Sequence, residues 1–416
     1  MRSASIVLFL GLAVLGSACE VIESGDQSEP PPPLTQLPRA LTAEEQSLIR
    51  GSNDFAFGFL REVDAAEAGS NVFISPLSAS MALAMTLNGA AGETQDEMRT
   101  MLGFGDLSVE EMNASYRSLI DLLLDLDDAV EMRIANALWL REGTGFHESF
   151  LATTRDYFDA TASVLDFGDP ASVDVINDWV NRSTNGRIES ILDEISQDAM
   201  LYLMNAIYFK GSWTHRFDAA QTAPAPFRHD DGTTHDVQLM SEGSMPASFA
   251  FLEDASVLEL PYGRDAFALT IVLPPEGSML AELVAGLTPQ RWDTWLGALR
   301  DGEIAVYLPK FTLEYERSLN GPLQALGMRR AFDPTDADFS ALSPDGDDMY
   351  VHEVKQKTFL NVDEEGTEAA AVTSVEVRVT SAPPSFRVDR PFLMVIRERL
   401  SGTILFAGAI GNPTNP

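Results

Sequence analysis

The sequence predicts an α+β fold in one large domain, and three observations carry that prediction. Helical patterns come mostly early and strand patterns mostly late, without the regular alternation that builds a doubly wound parallel sheet. Hydrophobic residues make up 45% of the 416-residue chain and aromatic residues 9%, enough core material to exclude wholesale disorder. Residues 42–416 contain no internal repeat and no Pro- or Gly-rich break. They read as one domain, although the chain is about three times the usual ~150-residue domain.

The elements follow in chain order. Residues 1–19 have the form of an export signal: Arg2, an apolar run from Ile6 to Leu15, then Gly16-Ser17-Ala18 before Cys19. A run of about ten residues is too short to span a bilayer. Small residues followed by Cys resemble a bacterial lipoprotein signal, which implies a lipid on Cys19 and anchoring at the outer membrane or cell surface. Leu15 stands one place earlier than in that pattern, and Gly16 with Ala18 also suits plain cleavage, which gives a secreted, extracellular chain. Cys19 is the single cysteine, so no intramolecular disulfide and no Cys-rich zinc site can form. Residues 20–41 are polar and proline-rich, a composition that favours a disordered, extended linker.

Thr42-Ala43-Glu44-Glu45 has the capping-box form, and Leu48, Ile49, Phe55 and Phe59 return at helical spacing, so a first helix starts there. Ser75–Leu87 is an almost wholly apolar helix and therefore a buried one; Glu93–Leu102 is amphipathic. Ser118–Leu126 and Val173–Val180 also carry the helical period. Strand patterns cover Met132–Leu140, Met200–Phe209, Val257–Pro261, Phe267–Leu273, Glu303–Tyr315, Thr358–Val362 and Phe392–Ala409, the last broken at Ser401-Gly402.

Charge and motif content narrow the function. Against 63 acidic residues stand 28 basic ones, a net charge of -35, and only Lys210, Lys310, Lys355 and Lys357 are lysines. Binding to nucleic acid by phosphate neutralisation is excluded as a general mode. Residues 1–41 carry a net -2, so -33 belongs to residues 42–416. Gly-x-Ser-x-Gly, Ser-x-x-Lys and His-Glu-x-x-His are all absent, which argues against an enzyme. His229-Asp230-Asp231 with His235 is a hairpin turn more simply than a metal site. Asp333, Asp336 and Asp338, and Asp345, Asp347 and Asp348, lack the calcium-loop spacing and read as surface acids. No metal and no cofactor is expected.

Five segments now share one pattern: Asn71–Met98 (NVFISPLSASMALAMTLNGAAGETQDEM), Asn205–Trp213 (NAIYFKGSW), Tyr307–Phe311 (YLPKF), Val362–Thr373 (VDEEGTEAAAVT) and Phe386–Ile396 (FRVDRPFLMVI). On these motifs the chain resembles the serpins, the serine protease inhibitors, from about Thr42 to Pro413. The resemblance implies three β-sheets with eight or nine helices and an exposed reactive-centre loop between a central strand and the C-terminal strands. In inhibitory members a protease cuts that loop, which then inserts into the large sheet and traps the acylated enzyme. Serine proteases are the implied partners, and a monomer is expected.

The family's spacing places the cut bond fourteen residues beyond Gly366, and eleven residues back from Pro391, both after Thr380. The reactive bond is therefore Thr380–Ser381, preceded by Val377, Arg378 and Val379. Val379-Thr380 suits elastase-like or subtilisin-like proteases with a small apolar pocket; Arg378 offers a trypsin-like enzyme a second site. The hinge is Glu364, Glu365, Gly366, Thr367, Glu368, Ala369, Ala370, Ala371, Val372 and Thr373. By strand alternation Thr367, Ala369, Ala371, Thr373, Val375, Val377 and Val379 share one face, all small or apolar. No Pro or Gly interrupts Thr367–Ala382. Val372 departs from the family's run of small residues but falls on the opposite face.

Ser75, Ser78 and Asn205 match the polar cluster at the point where the family's sheet opens, with Gln356 where His is usual. Gln keeps hydrogen-bonding capacity but has no titratable imidazole. Trp213 matches an aromatic plug at the top of that sheet. The segment Val109–Glu131, which is a basic heparin-binding helix in some members, holds only Arg117 against many acids. Glycosaminoglycan activation is not expected. The competing function is a non-inhibitory serpin acting as chaperone, carrier or storage protein, whose usual mark is a bulky, charged or Pro-containing hinge.

Overall fold

Thr42 and Glu45 close a capping box, each side chain bonding the other's backbone N–H, and start helix α1 (Ala43–Ala66). This computed structural model describes residues 32–67, 69–196, 199–346, 349–367 and 384–414. The signal residues 1–19 with Cys19, the linker up to residue 31, the hinge residues Glu368–Thr373, the contact residues Val377, Arg378 and Val379, and the bond Thr380–Ser381 lie outside the described residues. The chain divides into compact units Met1–Pro32 and Pro33–Pro416, and the description that follows is of the second.

Nine α-helices occur among the described residues. After α1 come α2 (Pro76–Leu87), α3 (Gly92–Met101), α4 (Val109–Leu124), α5 (Glu148–Phe158), α6 (Ala171–Ser183), α7 (Leu280–Ala285), α8 (Pro289–Ala298) and α9 (Asn320–Ala325). The early strands are β1 (Val72–Ile74), β2 (Val130–Arg141), β3 (Thr161–Leu165), β4 (Leu201–Ser212), β5 (Ala223–Arg228), β6 (Thr234–Phe251), β7 (Ser256–Tyr262) and β8 (Phe267–Leu273). The later ones are β9 (Arg300–Pro309), β10 (Phe311–Ser318), β11 (Val351–Val362), β12 (Gly366–Thr367), β13 (Ser385–Arg387), β14 (Phe392–Glu398) and β15 (Ile404–Ile410). The class is α+β, as the order of helical and strand patterns predicts.

A six-stranded sheet runs β10-β11-β4-β2-β3 with β12 beside β4. A nine-stranded sheet runs β1-β15-β14-β8-β7-β6-β9-β13 with β5 beside β6. The two smaller sheets of the expected three form one continuous ladder here because the 18-residue β6 passes through both, with a register shift between Glu242 and Met245.

Strand β4 shows why its sequence is almost continuously apolar. Leu201, Leu203, Ile207 and Phe209 face the main core; Tyr202, Met204 and Ala206 face a second core under α6, with Trp139, Ile176, Trp179 and Val180. Both faces are covered, so the two-residue period carries no polar side. Helix α2 is buried at every position between β2 and β4 of one sheet and β15 of the other.

Several boundaries differ from the sequence pattern. Helix α4 begins nine residues before Ser118, at a second capping box formed by Ser108 and Glu111. The stretch Glu303–Tyr315 breaks at Lys310 into β9 and β10, which belong to different sheets. Helix α5 buries only Phe150, Thr154 and Phe158, too thin a stripe to register as a period. The end of the expected linker is also tied down. Leu34, Leu37 and Leu41 pack on the core, Leu34 N–H donates to Arg264 O, and Arg39 makes a two-pronged ion pair with buried Glu45 and donates to Ser118. Proline content masked those anchors.

Candidate site at the opening of the six-stranded sheet

Strands β4 and β11 lie side by side and parallel, paired from Leu201 opposite Val351 to Ile207 opposite Thr358, with one register shift between Val351 and Glu353. Beyond Thr358 the neighbouring edge of β4 is occupied by β12 instead. The chain leaves β11 at Val362 and reverses through Asp363–Gly366, where Asp363 and Gly366 exchange backbone hydrogen bonds and Asp363 Oδ1 accepts from Glu365 N–H. It then runs antiparallel along β4, with Gly366 opposite Ser212 and Thr367 opposite Gly211.

Only glycine fits at position 366. Its φ is +146°, and a Cβ there would lie 2.2 Å from Gly211 O and 2.7 Å from Ser212 Cα. The close approach brings Thr367 in: its side chain is fully buried, and its Oγ1 lies 2.9 Å from the Tyr262 hydroxyl. Burial pushes the Tyr262 phenol well above its usual range, and it stays protonated.

Trp213 does more than plug the top of the sheet. Its ring stacks on Tyr262 with centroids 4.4 Å apart, and its Nε1–H donates to Asp363 O at 2.8 Å. Its backbone N–H donates to Glu365 O, and that of Phe217 to Glu364 O. The reversal is thus laced to the chain leaving β4 at three points. The Glu364 carboxylate adds a fourth, accepting from Lys310 Nζ and Thr222 Oγ1, each at 2.7 Å.

Burial works to raise the Glu364 pKa, but the hydrogen bonds from Lys310 and Thr222 outweigh it and hold the group below the usual carboxylate range. A lowered folded-state pKa stabilises above the ordinary Glu value and ceases to do so as pH falls through the folded one. The latch should therefore hold at neutral pH and loosen below about pH 4. Glu364→Gln should abolish that acid dependence, read as hydrogen exchange of the Trp213 and Phe217 amides. Equal acid sensitivity in both proteins would remove Glu364 from the latch.

Lower down, the predicted cluster is assembled. Gln356 and Asn205 are cross-strand partners on β11 and β4. Gln356 Oε1 accepts from Ser75 N–H at 2.9 Å, and its Nε2 donates to Ser75 O and Asn205 Oδ1, both at 3.0 Å. Asn205 Nδ2 donates to Ser78 and to Asn136 Oδ1 on β2. Ser75, Ser78, Asn136, Asn205 and Gln356 are all buried. One amide thus supplies the donor and acceptor that this point of the sheet requires, without an ionisable ring.

Asn136, Tyr262, Lys310 and Thr222 belong to this site and were not singled out from sequence. Asn136 left a signal, an amide inside the apolar strand MRIANALWL, just as Asn205 lies inside LYLMNAIYF. Lys310 is one of only four lysines. Lys355 and Lys357 pair across to Glu314 and Glu316 and link β11 to β10.

The weak metal candidates fit turns. His229, Asp231 and Thr233 close the β5–β6 hairpin around Gly232, and Asp333 and Asp338 bind hydroxyls two residues on. Among the described residues no group of three or more His, Cys, Asp or Glu could hold a metal, and no helix is long and apolar enough to cross a membrane.

The serpin (serine protease inhibitor) family profile matches residues 50–413, the span that contains both sheets and this seam. The chain is a serpin. Among its relatives, an uncharacterized serpin-like protein of Thermococcus kodakarensis is 34% identical over 393 residues, covering 92% of this chain and 89% of that one. The native state of the thermophilic serpin tengpin superposes with a TM-score of 0.83 at 31% identity, over 91% of this serpin and 97% of tengpin. Human thyroxine-binding globulin, in complex with its hormone, superposes with a TM-score of 0.84 at 29% identity, over 90% of this serpin and all of the globulin. The family's general activity is protease inhibition; the globulin shows the same fold in a protein that binds thyroxine.

Proposed function

We propose that this serpin is an irreversible, suicide-substrate inhibitor of serine proteases, cut at Thr380–Ser381 and acting by insertion of its loop between β4 and β11. The observation that carries this is the direction and register of β12. Because β4 and β11 are parallel, a strand antiparallel to one is antiparallel to both, so insertion replaces one parallel ladder by two antiparallel ones. Continued from Thr367 opposite Gly211, the register sets Ala369 against Phe209 and Ala371 against Ile207. Both partners face the main core. That is the face to which strand alternation assigns the small side chains.

A new central strand adds on the order of ten backbone hydrogen bonds, each worth roughly 0.5–1.5 kcal/mol net. Burying the valines that follow adds about 1.5 kcal/mol or more apiece. Release on this scale matches the whole stability of a typical protease domain. Val379-Thr380 directs the loop to elastase-like or subtilisin-like enzymes, with Arg378 as the alternative for a trypsin-like one. Cleavage at Arg378 would shorten the tether by two residues.

Mixing the protein with elastase, subtilisin and trypsin should give an SDS-resistant complex with at least one of them, with the cut after Thr380 by mass. Clipping of the loop by every enzyme, each remaining active, would sink the inhibitor reading. It would favour the second one, a non-inhibitory chaperone, carrier or storage serpin, for which the likeness to thyroxine-binding globulin speaks. The small hinge residues speak for inhibition. The protein is further proposed to be exported, anchored through a lipid on Cys19 or secreted; the mass of the mature N-terminal peptide separates the two.

A further inference from the structure

Two of the five histidines meet at the turn between β5 and β6. His229 Nε2 and His235 Nδ1 are 2.8 Å apart, with the ring centroids 4.8 Å apart and the planes at 74°. His229 is held from two sides. Its Nδ1 lies 3.0 Å from Gly411 O, just past the end of β15, and its ring packs at an angle against buried Phe227. His235 is exposed, so solvent reaches the pair.

The carbonyl fixes where the protons are. Gly411 O can only accept, so His229 Nδ1 carries hydrogen, and the neutral ring turns the lone pair of Nε2 toward His235. His235 Nδ1–H donates to that lone pair, which leaves one proton between two ring nitrogens. Moving this proton to the other nitrogen of the same ring, His235 Nε2, leaves two lone pairs aimed at one point. Metal-binding imidazoles are commonly oriented by donating their second N–H to a carbonyl, and His229 is already in that state.

The spacing selects the ion. Two imidazoles about 2.0–2.1 Å from a metal stand about 2.9 Å apart at a right angle and about 3.3 Å apart at a tetrahedral one. The observed separation fits the right angle of a tetragonal site, the geometry of Cu(II) and Ni(II), and Cu(II) is the tighter binder of the two. Charge also favours a cation. Hydrogen bonds from the Thr233 hydroxyl and N–H, helped by the two imidazoles, hold the Asp231 carboxyl below the usual carboxylate range, so it is ionised beside them. Asp230 is turned away and accepts from Leu280 N–H. We propose that His229 and His235 bind one Cu(II) ion, with water in its remaining positions, and that the ion fastens the β5–β6 hairpin to the end of β15 through the bond from His229 to Gly411. The site is independent of the reactive loop, so an inhibitory and a non-inhibitory serpin would bind the ion alike.

The probe is Cu(II) itself, titrated into the metal-free full-length protein in Tris buffer, whose weak chelation keeps the ion off single imidazoles. One equivalent should bind with the electron paramagnetic resonance spectrum of a tetragonal site coupled to two imidazole nitrogens. His229→Ala and His235→Ala should each weaken that binding about tenfold or more. His215→Ala, at an exposed histidine elsewhere, should leave it unchanged. Zn(II) should bind about tenfold more weakly than Cu(II). Saturating Cu(II) should raise the melting temperature of the wild-type protein by a few degrees and leave that of both ligand variants where it was. Binding retained in both variants, or lost equally in His215→Ala, would put the ion elsewhere and overturn the inference. A wild-type spectrum without two nitrogen couplings, or no binding above the buffer background, would overturn it whatever the stability of the variants. Zn(II) binding as tightly as Cu(II) would overturn the tetragonal assignment.

Discussion

An Ala369→Arg variant is expected to be cut by the target protease as fast as the wild-type chain and to release it active, with the yield of stable complex falling more than tenfold. Two residues beyond Thr367, position 369 falls opposite Phe209 when the register of β12 is continued. Phe209 is 2% exposed and packs against Tyr262, Phe267 and Phe406. An arginine inserted there must leave its charge unpaired in an apolar core at a cost of several kcal/mol. That penalty falls on insertion alone, since the cut bond lies eleven residues further on. Slower insertion lets the acyl-enzyme hydrolyse first. A stable complex in wild-type yield would refute insertion in this register, and Ala369→Ser, small and neutral, should retain trapping as a control.

The second large effect is expected at Asn205. Replacing it by Ala removes the donor to Ser78 and Asn136 and the acceptor for Gln356 at one stroke, all of them buried. Orphaning several buried polar groups costs about 2–5 kcal/mol. Calorimetry should show the native chain melting several degrees lower. Weakening the β4–β11 seam should also let the uncut loop enter the sheet slowly, so a fraction incubated at 37 °C should turn inactive and more heat-stable. A melting temperature within a degree of the wild type would mean that the cluster does not hold the sheet closed. Because Gln356 carries no titratable ring, the wild-type melting temperature should not step between pH 5.5 and 7.5 on account of this cluster, whereas Gln356→His should introduce such a step.

The extent to which the site could be read from sequence depended on how local its signals were. The capping box at Thr42, the buried helix α2 and the apolar run of β4 are encoded within a few residues each, and the sequence pattern locates them. Ser75, Ser78, Asn205 and Gln356 were placed together by family motif, and the structure joins them by direct hydrogen bonds. Lys310 and Thr222 could not be paired with Glu364 beforehand, because 54 and 142 residues of chain separate them from it. The anchoring of Leu34–Leu41 was hidden because Arg39 and the three leucines acquire meaning only against Glu45, Ser118 and a core formed elsewhere.

The sequence by itself determined the α+β class, the family, the alternation of small side chains after Gly366, the single cysteine at position 19 and the strongly acidic character, since each is a property of composition or of neighbours along the chain. Tertiary structure alone decided that β4 and β11 are parallel, that Thr367 already lies beside Gly211, and that Trp213, Tyr262, Lys310 and Thr222 hold the reversal. The physical reason is common to all three. Strand direction, register and residual exposure are set by which distant surfaces are buried together, and the free energy of that burial appears only once the chain has closed on itself.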